Sequence, residues 1–308
     1  NAKNINPYLV EGKDIFIQSR KYSVCGAPDM SYGSMANDGG NLILNDNEKL
    51  ELISLEPDIS KFIRPFLGSY EFINGVNRWC IWLKDVPPGD YTNLTQILKR
   101  VKLVKEYRLK STRETTRKLA EYPSLFGEIR QPSTDYLLVP GVSSENRKYI
   151  PIGFLNKDFI ASDLARTIPI ASLYAFGIIT SIIHMTWVKY VCGRLKSDFR
   201  YSASIVYNNF PWPENPTDKQ KEAIEAAAQK VLDVRAEFPG SSLADLYNPL
   251  TMPPALVKAH NELDKAVDMA YRPQPFTSET KRIEFLFELY DKYTAGLFQV
   301  EKKRLAKK

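Results

Sequence analysis

Residues 173–192, LYAFGIITSIIHMTWVKYVC, form one nearly unbroken apolar run in an otherwise polar chain. A run of that length is long enough to cross a bilayer, and it is equally suited to burial on all sides within a protein core. His184 and Lys189 interrupt it, its flanks are strongly polar, and no second run of the kind accompanies it. It is therefore read as a central core helix, and no membrane partner is expected. A buried central helix needs other elements to cover it. The 308 residues, 44% apolar and 25% charged, suffice for two ordinary globular domains.

Before the apolar run the pattern mixes short strands with helices. Asp14–Arg20 and Asn41–Leu44 are β-like runs bounded by Gly, Asn and Asp. Phe72-Ile73, Asn74-Gly75 and Arg78–Leu83 read as a hairpin around an Asn-Gly turn. Leu94, Ile97, Val101 and Val104 have helical spacing and predict a helix over Thr92–Arg108, with a second over Ser111–Glu121. Residues 126–130, 136–139, 149–154, 167–170 and 203–207 are read as strands. The segment Asn208–Pro216 (NNFPWPENP) is turn-forming and marks a boundary. Beyond it the pattern is helical: Thr217-x-x-Gln220 is a capping box, and Ile224/Ala228/Val231, Leu256/His260/Leu263/Val267 and Ile283/Phe287/Tyr290/Leu297 mark three apolar faces. The expected class is α+β, with a mixed strand/helix domain over residues 1–213 followed by a small all-α helical bundle over 214–308.

The net charge of +6 favours polyanionic partners. Residues 99–118 hold nine lysines or arginines against Glu106 and Glu114, and residues 301–308 are also basic. A solvated helix face explains such runs as well as a partner does. Cys25, Cys80 and Cys192 are too far apart to suggest a disulfide framework or zinc site, so reduced thiols in the cytoplasm are expected. The chain begins Asn1-Ala2-Lys3 without a leader, and is expected to be a piece of a longer polypeptide.

Catalytic chemistry is hard to find. The two histidines, His184 and His260, fall on apolar helix faces and are read as structural. Nucleophile-elbow, Walker, zinc-helix and dinucleotide glycine patterns do not occur, while spatially paired carboxylates stay open. Asn209-Phe210-Pro211-Trp212 superficially resembles the Asn-Pro-Pro-aromatic signature of amino-group methylation. A phenylalanine separates its asparagine from its single proline, so it is read as a structural turn.

Polar loops offer a different chemistry. Duplex recognition requires cations on phosphates and a few side chains on base edges. Ser143–Lys148 (SSENRK), the turn at Ser162-Asp163 and Arg194–Tyr201 (RLKSDFRY) have that content. In an extended strand Lys196 and Asp198 would share a face. Lysine donates to guanine O6 and N7 and aspartate accepts from cytosine N4, so the pair suits one G·C base pair. A plain surface ion pair is the competing reading.

Eight blocks then carry a resemblance: Asn6–Val10 (NPYLV), Asp38–Leu44 (DGGNLIL), Ile63–Ser69 (IRPFLGS), Arg78–Leu83 (RWCIWL), Ser143–Pro151 (SSENRKYIP), Cys192–Asp198 (CGRLKSD), Tyr201–Pro213 (YSASIVYNNFPWP) and Tyr271–Phe276 (YRPQPF). In this order they resemble the region after the catalytic motifs of large adenine-specific DNA methyltransferases, including the Type IIL and Type IIG restriction–modification enzymes. The resemblance implies a target recognition domain with a C-terminal helical domain, and double-stranded DNA and an upstream methyltransferase domain as partners. S-adenosylmethionine would bind in that upstream domain, with no cofactor or catalytic residue here. A nuclease domain is sometimes fused to such enzymes. It also implies base recognition by Lys196, Asp198, Ser144, Glu145, Arg147, Ser162 and Asp163, while Arg194, Arg200, Lys148 and Tyr201 suit the flanking phosphates by their chemistry. The alternatives are a scaffold that docks a partner protein through Tyr290, Tyr293 and Phe298, and a self-contained nuclease using unseen carboxylates.

Overall fold

The structure, a computed structural model, describes residues 4–305, with side chains through residue 295. Short strands and helices precede a helical C-terminal stretch, in keeping with the expected α+β class. Spatially the chain forms two compact units. The inserted unit comprises Ser31–Pro140 and Phe154–Thr167; the flanking unit takes Asn1–Met30, Gly141–Gly153 and Ile168–Lys308. Residue 213, where composition places a boundary, lies inside the flanking unit, because part of the apolar run packs on a helix beyond it.

The first strands and helices are β1 (Ser31–Tyr32), β2 (Ile43–Leu44), α1 (Asp46–Leu55), β3 (Ile63–Leu67), α2 (Ser69–Asn74), β4 (Trp79–Ile81), α3 (Thr95–Leu109), α4 (Glu114–Lys118) and β5 (Tyr136–Pro140). Then come β6 (Val142–Ser143), β7 (Gly153–Leu155), β8 (Ile160–Ala161) and β9 (Ala165–Pro169). Two four-stranded sheets result, ordered β1-β9-β5-β7 and β2-β4-β3-β8, with β3 and β8 parallel. Ile97 and Val104 of α3 are fully buried in the inserted unit's core with Leu42, Ile59 and Cys80. Phe126 packs edge-on against both Phe66 and Trp82.

Two expectations fail in this unit. Asn74-Gly75 does not turn a hairpin: it ends α2, with Gly75 in the left-handed conformation (φ 64°) that a helix C-terminus favours. Residues 126–130 make only the isolated bridge Met35–Glu128. The basic run is also not wholly a solvated face. Arg108 is 1% exposed, and its guanidinium donates to five backbone carbonyls. Nε reaches Asn37 O (2.9 Å), Nη1 reaches Leu119 O (2.9 Å) and Tyr122 O (3.0 Å), and Nη2 reaches Ala36 O (3.0 Å) and Leu125 O (2.7 Å). All five N–H donors of the fork are thus used, so the charge is solvated by backbone dipoles.

In the flanking unit the apolar run is two helices, α5 (Leu173–Thr180) and α6 (Ile182–Val191), broken at Ser181. The break leaves the Ile182 amide free of helical partners, and it donates to Asp264 Oδ1 at 2.7 Å. Strands β10 (Gly193–Leu195) and β11 (Asp198–Arg200) follow, then α7 (Asp218–Ala236), α8 (Leu243–Leu246), α9 (Pro254–Tyr271) and α10 (Glu279–Leu305). The capping box at Thr217 and Gln220 starts α7 as expected. Ile224, Ala228 and Val231 of α7 and Leu256, Leu263 and Val267 of α9 are fully buried. Gly177 lets α5 approach them: a Cβ there would lie 2.6 Å from Ile224 and 3.3 Å from Ala228 and Leu263. No helix among the described residues is long and apolar enough to cross a membrane.

The expected strands at 14–20 and 203–207 are absent. Asparagine side chains take up several carbonyls of both segments, and the Arg20 amide donates to Ser204 O. Asn209 Nδ2 donates to the carbonyls of Gln18, Ser204 and Ile205, and Asn208 Nδ2 to those of Arg20 and Lys21. Residues 203–207 instead form one π-helical turn after Ser202.

Candidate nucleic-acid interface

Strands β10, β11 and β6 form a three-stranded antiparallel sheet in the flanking unit, in the order β10-β11-β6. Its register pairs Leu195 with Asp198 and Phe199 with Ser143. Lys196-Ser197 is therefore a two-residue hairpin loop, and the 144–148 loop leaves β6 beside Asp198. The sheet thus brings together two of the three segments singled out in the sequence.

The geometry differs from the extended strand expected for Lys196-x-Asp198. The chain reverses at Lys196, whose φ of 56° is the left-handed region, so β alternation does not place these side chains on one face. Both residues nevertheless sit at the same end of the hairpin. A lysine held with positive φ is a sparsely populated conformation, and such strain collects at functional turns. Lys196 is exposed and Asp198 half-buried. Asp198 Oδ1 accepts the Glu145 amide at 3.4 Å, and a carboxylate has lone pairs to spare for an outside donor.

The 144–148 loop is internally tied. Ser144 Oγ accepts the Asn146 amide at 3.3 Å. Glu145 is exposed and its carboxylate lies 3.6 Å from Arg194 Nη1. Arg147 is half-buried; loss of water lowers its pKa from the usual arginine range, against the opposing pull of Asp198. Lys148 is exposed, with Nζ 3.3 Å from Asn261 Oδ1. Arg194 donates to Ser197 O at 2.9 Å and lies 4.1 Å over the Phe199 ring. Arg200 is exposed at the far end of β11.

Three expected residues are placed otherwise. Tyr201, expected on a phosphate, is 1% exposed and its hydroxyl pairs with His184 Nε2 at 2.9 Å. Ser162, expected to read a base, is 2% exposed and its Oγ accepts the Leu164 amide at 3.2 Å. Both hydroxyls are absorbed in structure. Asp163 is half-buried in the same turn of the inserted unit, where its carbonyl accepts from Arg166.

The histidines are structural, as read from the sequence. Burial pulls His184 down to about 3, and pulls His260 well below its ordinary value; His260 pairs with the Tyr247 hydroxyl at 2.8 Å and stacks on Tyr149. Asn209 is fully buried and bonded, with Oδ1 accepting from Arg20 and Tyr290, so the methylation look-alike is indeed a structural turn. Tyr290 is therefore spent in the core, and Tyr293 donates to Trp212 O; both are poor docking anchors, while the side chain of Phe298 lies outside the described residues. No cluster of three or more His, Cys, Asp or Glu suited to a metal occurs among the described residues. Sequence reasoning missed Phe199 altogether and placed Arg194 on a phosphate, not against that ring. Their cross-strand pairing needs the hairpin register, which a Lys-Ser turn without glycine or asparagine does not announce.

Two family models match the chain, the target recognition domain of MmeI over residues 11–214 and the MmeI C-terminal domain over residues 216–298. DNA methyltransferase A of Bacillus subtilis (strain 168) is 43% identical over 293 residues, which is 95% of this chain and 33% of that protein. A solved structure of the Type IIL restriction–modification enzyme MmeI in complex with DNA superposes with a TM-score of 0.92 at 46% identity, over 96% of this chain and 39% of that one. The chain thus spans between a third and two fifths of the length of these two relatives. The two models abut and run through nearly the whole sequence: the chain belongs to the MmeI family, as its target recognition domain followed by its C-terminal domain.

Proposed function

We propose that this chain is the sequence-reading part of an S-adenosylmethionine-dependent, adenine-N6 DNA methyltransferase of restriction–modification type. The cofactor and methyl-transfer chemistry belong to an upstream domain of a longer cytoplasmic polypeptide, to which a nuclease is sometimes fused. The reading rests above all on one observation: the Lys196–Asp198 turn and the Ser144–Lys148 loop lie side by side on adjacent strands of a single small sheet. The β10–β11 hairpin of that sheet is a two-stranded ribbon, an element that a major groove admits. Lys196 donates to the guanine edge, Asp198 accepts from the cytosine amine, and Arg147 or Glu145 meets a neighbouring base. Arg200 and Lys148 neutralise flanking phosphates. Ser162 and Tyr201 drop out of the base and phosphate sets, and Asp163 remains a candidate.

Exchanging the two charges in the longer enzyme, Lys196→Asp with Asp198→Lys, tests the reading. The methylated motif, read by single-molecule sequencing of host DNA, should change at one position and keep the others. An unchanged motif refutes the assignment of this pair.

A further inference from the structure

The base-reading side chains sit on two separate pieces of chain, and Arg194, like Asp198, touches both. Arg194 donates from Nη1 to Ser197 O at 2.9 Å, which holds the second residue of the strained turn directly after Lys196. The same Nη1 lies 3.6 Å from the Glu145 carboxylate on the neighbouring loop. Its guanidinium lies 4.1 Å over the ring of Phe199, the residue paired with it across the hairpin. Phe199 is 2% exposed, so the ring is fixed in the core. A planar cation stacked on a fixed ring has little freedom to turn, and its donors are aimed before any partner arrives. The sequence suggested a phosphate contact for Arg194; the geometry engages it within the protein instead.

We propose that Arg194 is a positioning residue for base reading. It clamps the Lys196–Ser197 turn to the Glu145 loop, so that the two present one surface to the base edges. The proposal rests on the DNA-recognition reading given above and goes beyond it by assigning Arg194 to discrimination, not to affinity.

A phosphate contact and a clamp leave different marks. Loss of a phosphate contact weakens binding evenly across sequences and lowers the salt slope of log K by about 1. Loss of a clamp leaves the counterion count intact and relaxes the base choice. The longer enzyme carrying this chain is incubated at low salt, without divalent metal, with a duplex library carrying a randomised centre, and the bound fraction is sequenced. The winning duplex is then titrated against salt. Arg194→Ala and Arg194→Lys are compared with the wild type. The lysine variant keeps the charge and loses the planar stack, so it decides the matter even where the alanine variant folds poorly.

The expected result is a relaxed preference at one base pair or two adjacent ones, by about fivefold or more, for both variants. Their salt slopes should match the wild type. An unchanged motif with a slope reduced by about 1 makes Arg194 a phosphate contact and overturns the proposal. An unchanged motif with an unchanged slope overturns it too. A wild-type enzyme that enriches no motif overturns the DNA-recognition reading itself, and the clamp falls with it.

Discussion

Replacing Arg108 with lysine separates two accounts of why a charge is buried in the inserted unit. If net positive charge is what matters, for instance toward Asp38, which favours the charged form, lysine should serve nearly as well. If the five-carbonyl cradle matters, lysine fails, because an ammonium has three donors at one point and cannot span carbonyls from residues 36–37 and 119–125. At least two carbonyls then lose their donor. Hydrogen bonds involving a charged group contribute about 1.5–3 kcal/mol each, so Arg108→Lys should cost about 3–6 kcal/mol. That is a large part of the ~5–15 kcal/mol that holds a typical domain together. The assay is hydrogen exchange of the α3 amides as a function of urea, a probe confined to the inserted unit. The opening free energy should fall by that amount. A loss below about 1 kcal/mol would refute the cradle argument, since neither the geometry nor the unmet carbonyls would then carry weight.

Two further predictions concern buried titrating groups of the flanking unit. Burial pushes Asp264 up to about 6 although its oxygens accept from Tyr149 and Ile182. A carboxyl raised above its unfolded value favours the fold when protonated, so this contribution is full below pH ~4 and is lost as pH rises through 6, about 3 kcal/mol in all. Asp264→Asn should therefore melt no lower than wild type at pH 8; a clearly lower melting temperature there would show that the ionised form is needed. His184 titrates in the opposite sense. Its folded value of about 3 lies below the unfolded 6.5, so its contribution is complete above pH 6.5 and falls away as pH drops. By pH 5 about 2 kcal/mol is gone, with His260 acting in the same direction. His184→Gln should shrink the loss of stability between pH 7.5 and 5 by about that amount, and urea midpoints that shift equally for both proteins would contradict it.

What could be read from the sequence, and what could not, follows the range of the interactions. The Thr217 capping box and the buried faces of α7 and α9 are encoded within a turn or two of helix, and they appear where periodicity places them. Asp14–Arg20 and Ala203–Tyr207 have strand-like composition, yet asparagines distant from Asp14–Arg20 in the chain take up its carbonyls. Periodicity cannot register such a partner. Asn74-Gly75 shows the same limit at short range, because a left-handed glycine serves a hairpin and a helix end equally well, and the packing of α2 decides.

The candidate interface follows that logic one level up. The polar character of residues 144–148 and 194–200 is plain in the sequence, because exposed loops need no partner to be recognised. Sorting those residues by task needs burial and register. Tyr201 and Ser162 look available as letters and are hydrogen-bonded inside. Arg108 looks like one more cation on a basic helix and is the hub of a core. Arg194 looks like a phosphate ligand and is held by Phe199, Ser197 and Glu145. In each case the residue type states which bonds it can make, and only the register of the surrounding backbone states which bonds it has already made. The polar groups at the end of the β10–β11 hairpin, exposed Lys196 and half-buried Asp198, are the ones the base-pair argument requires.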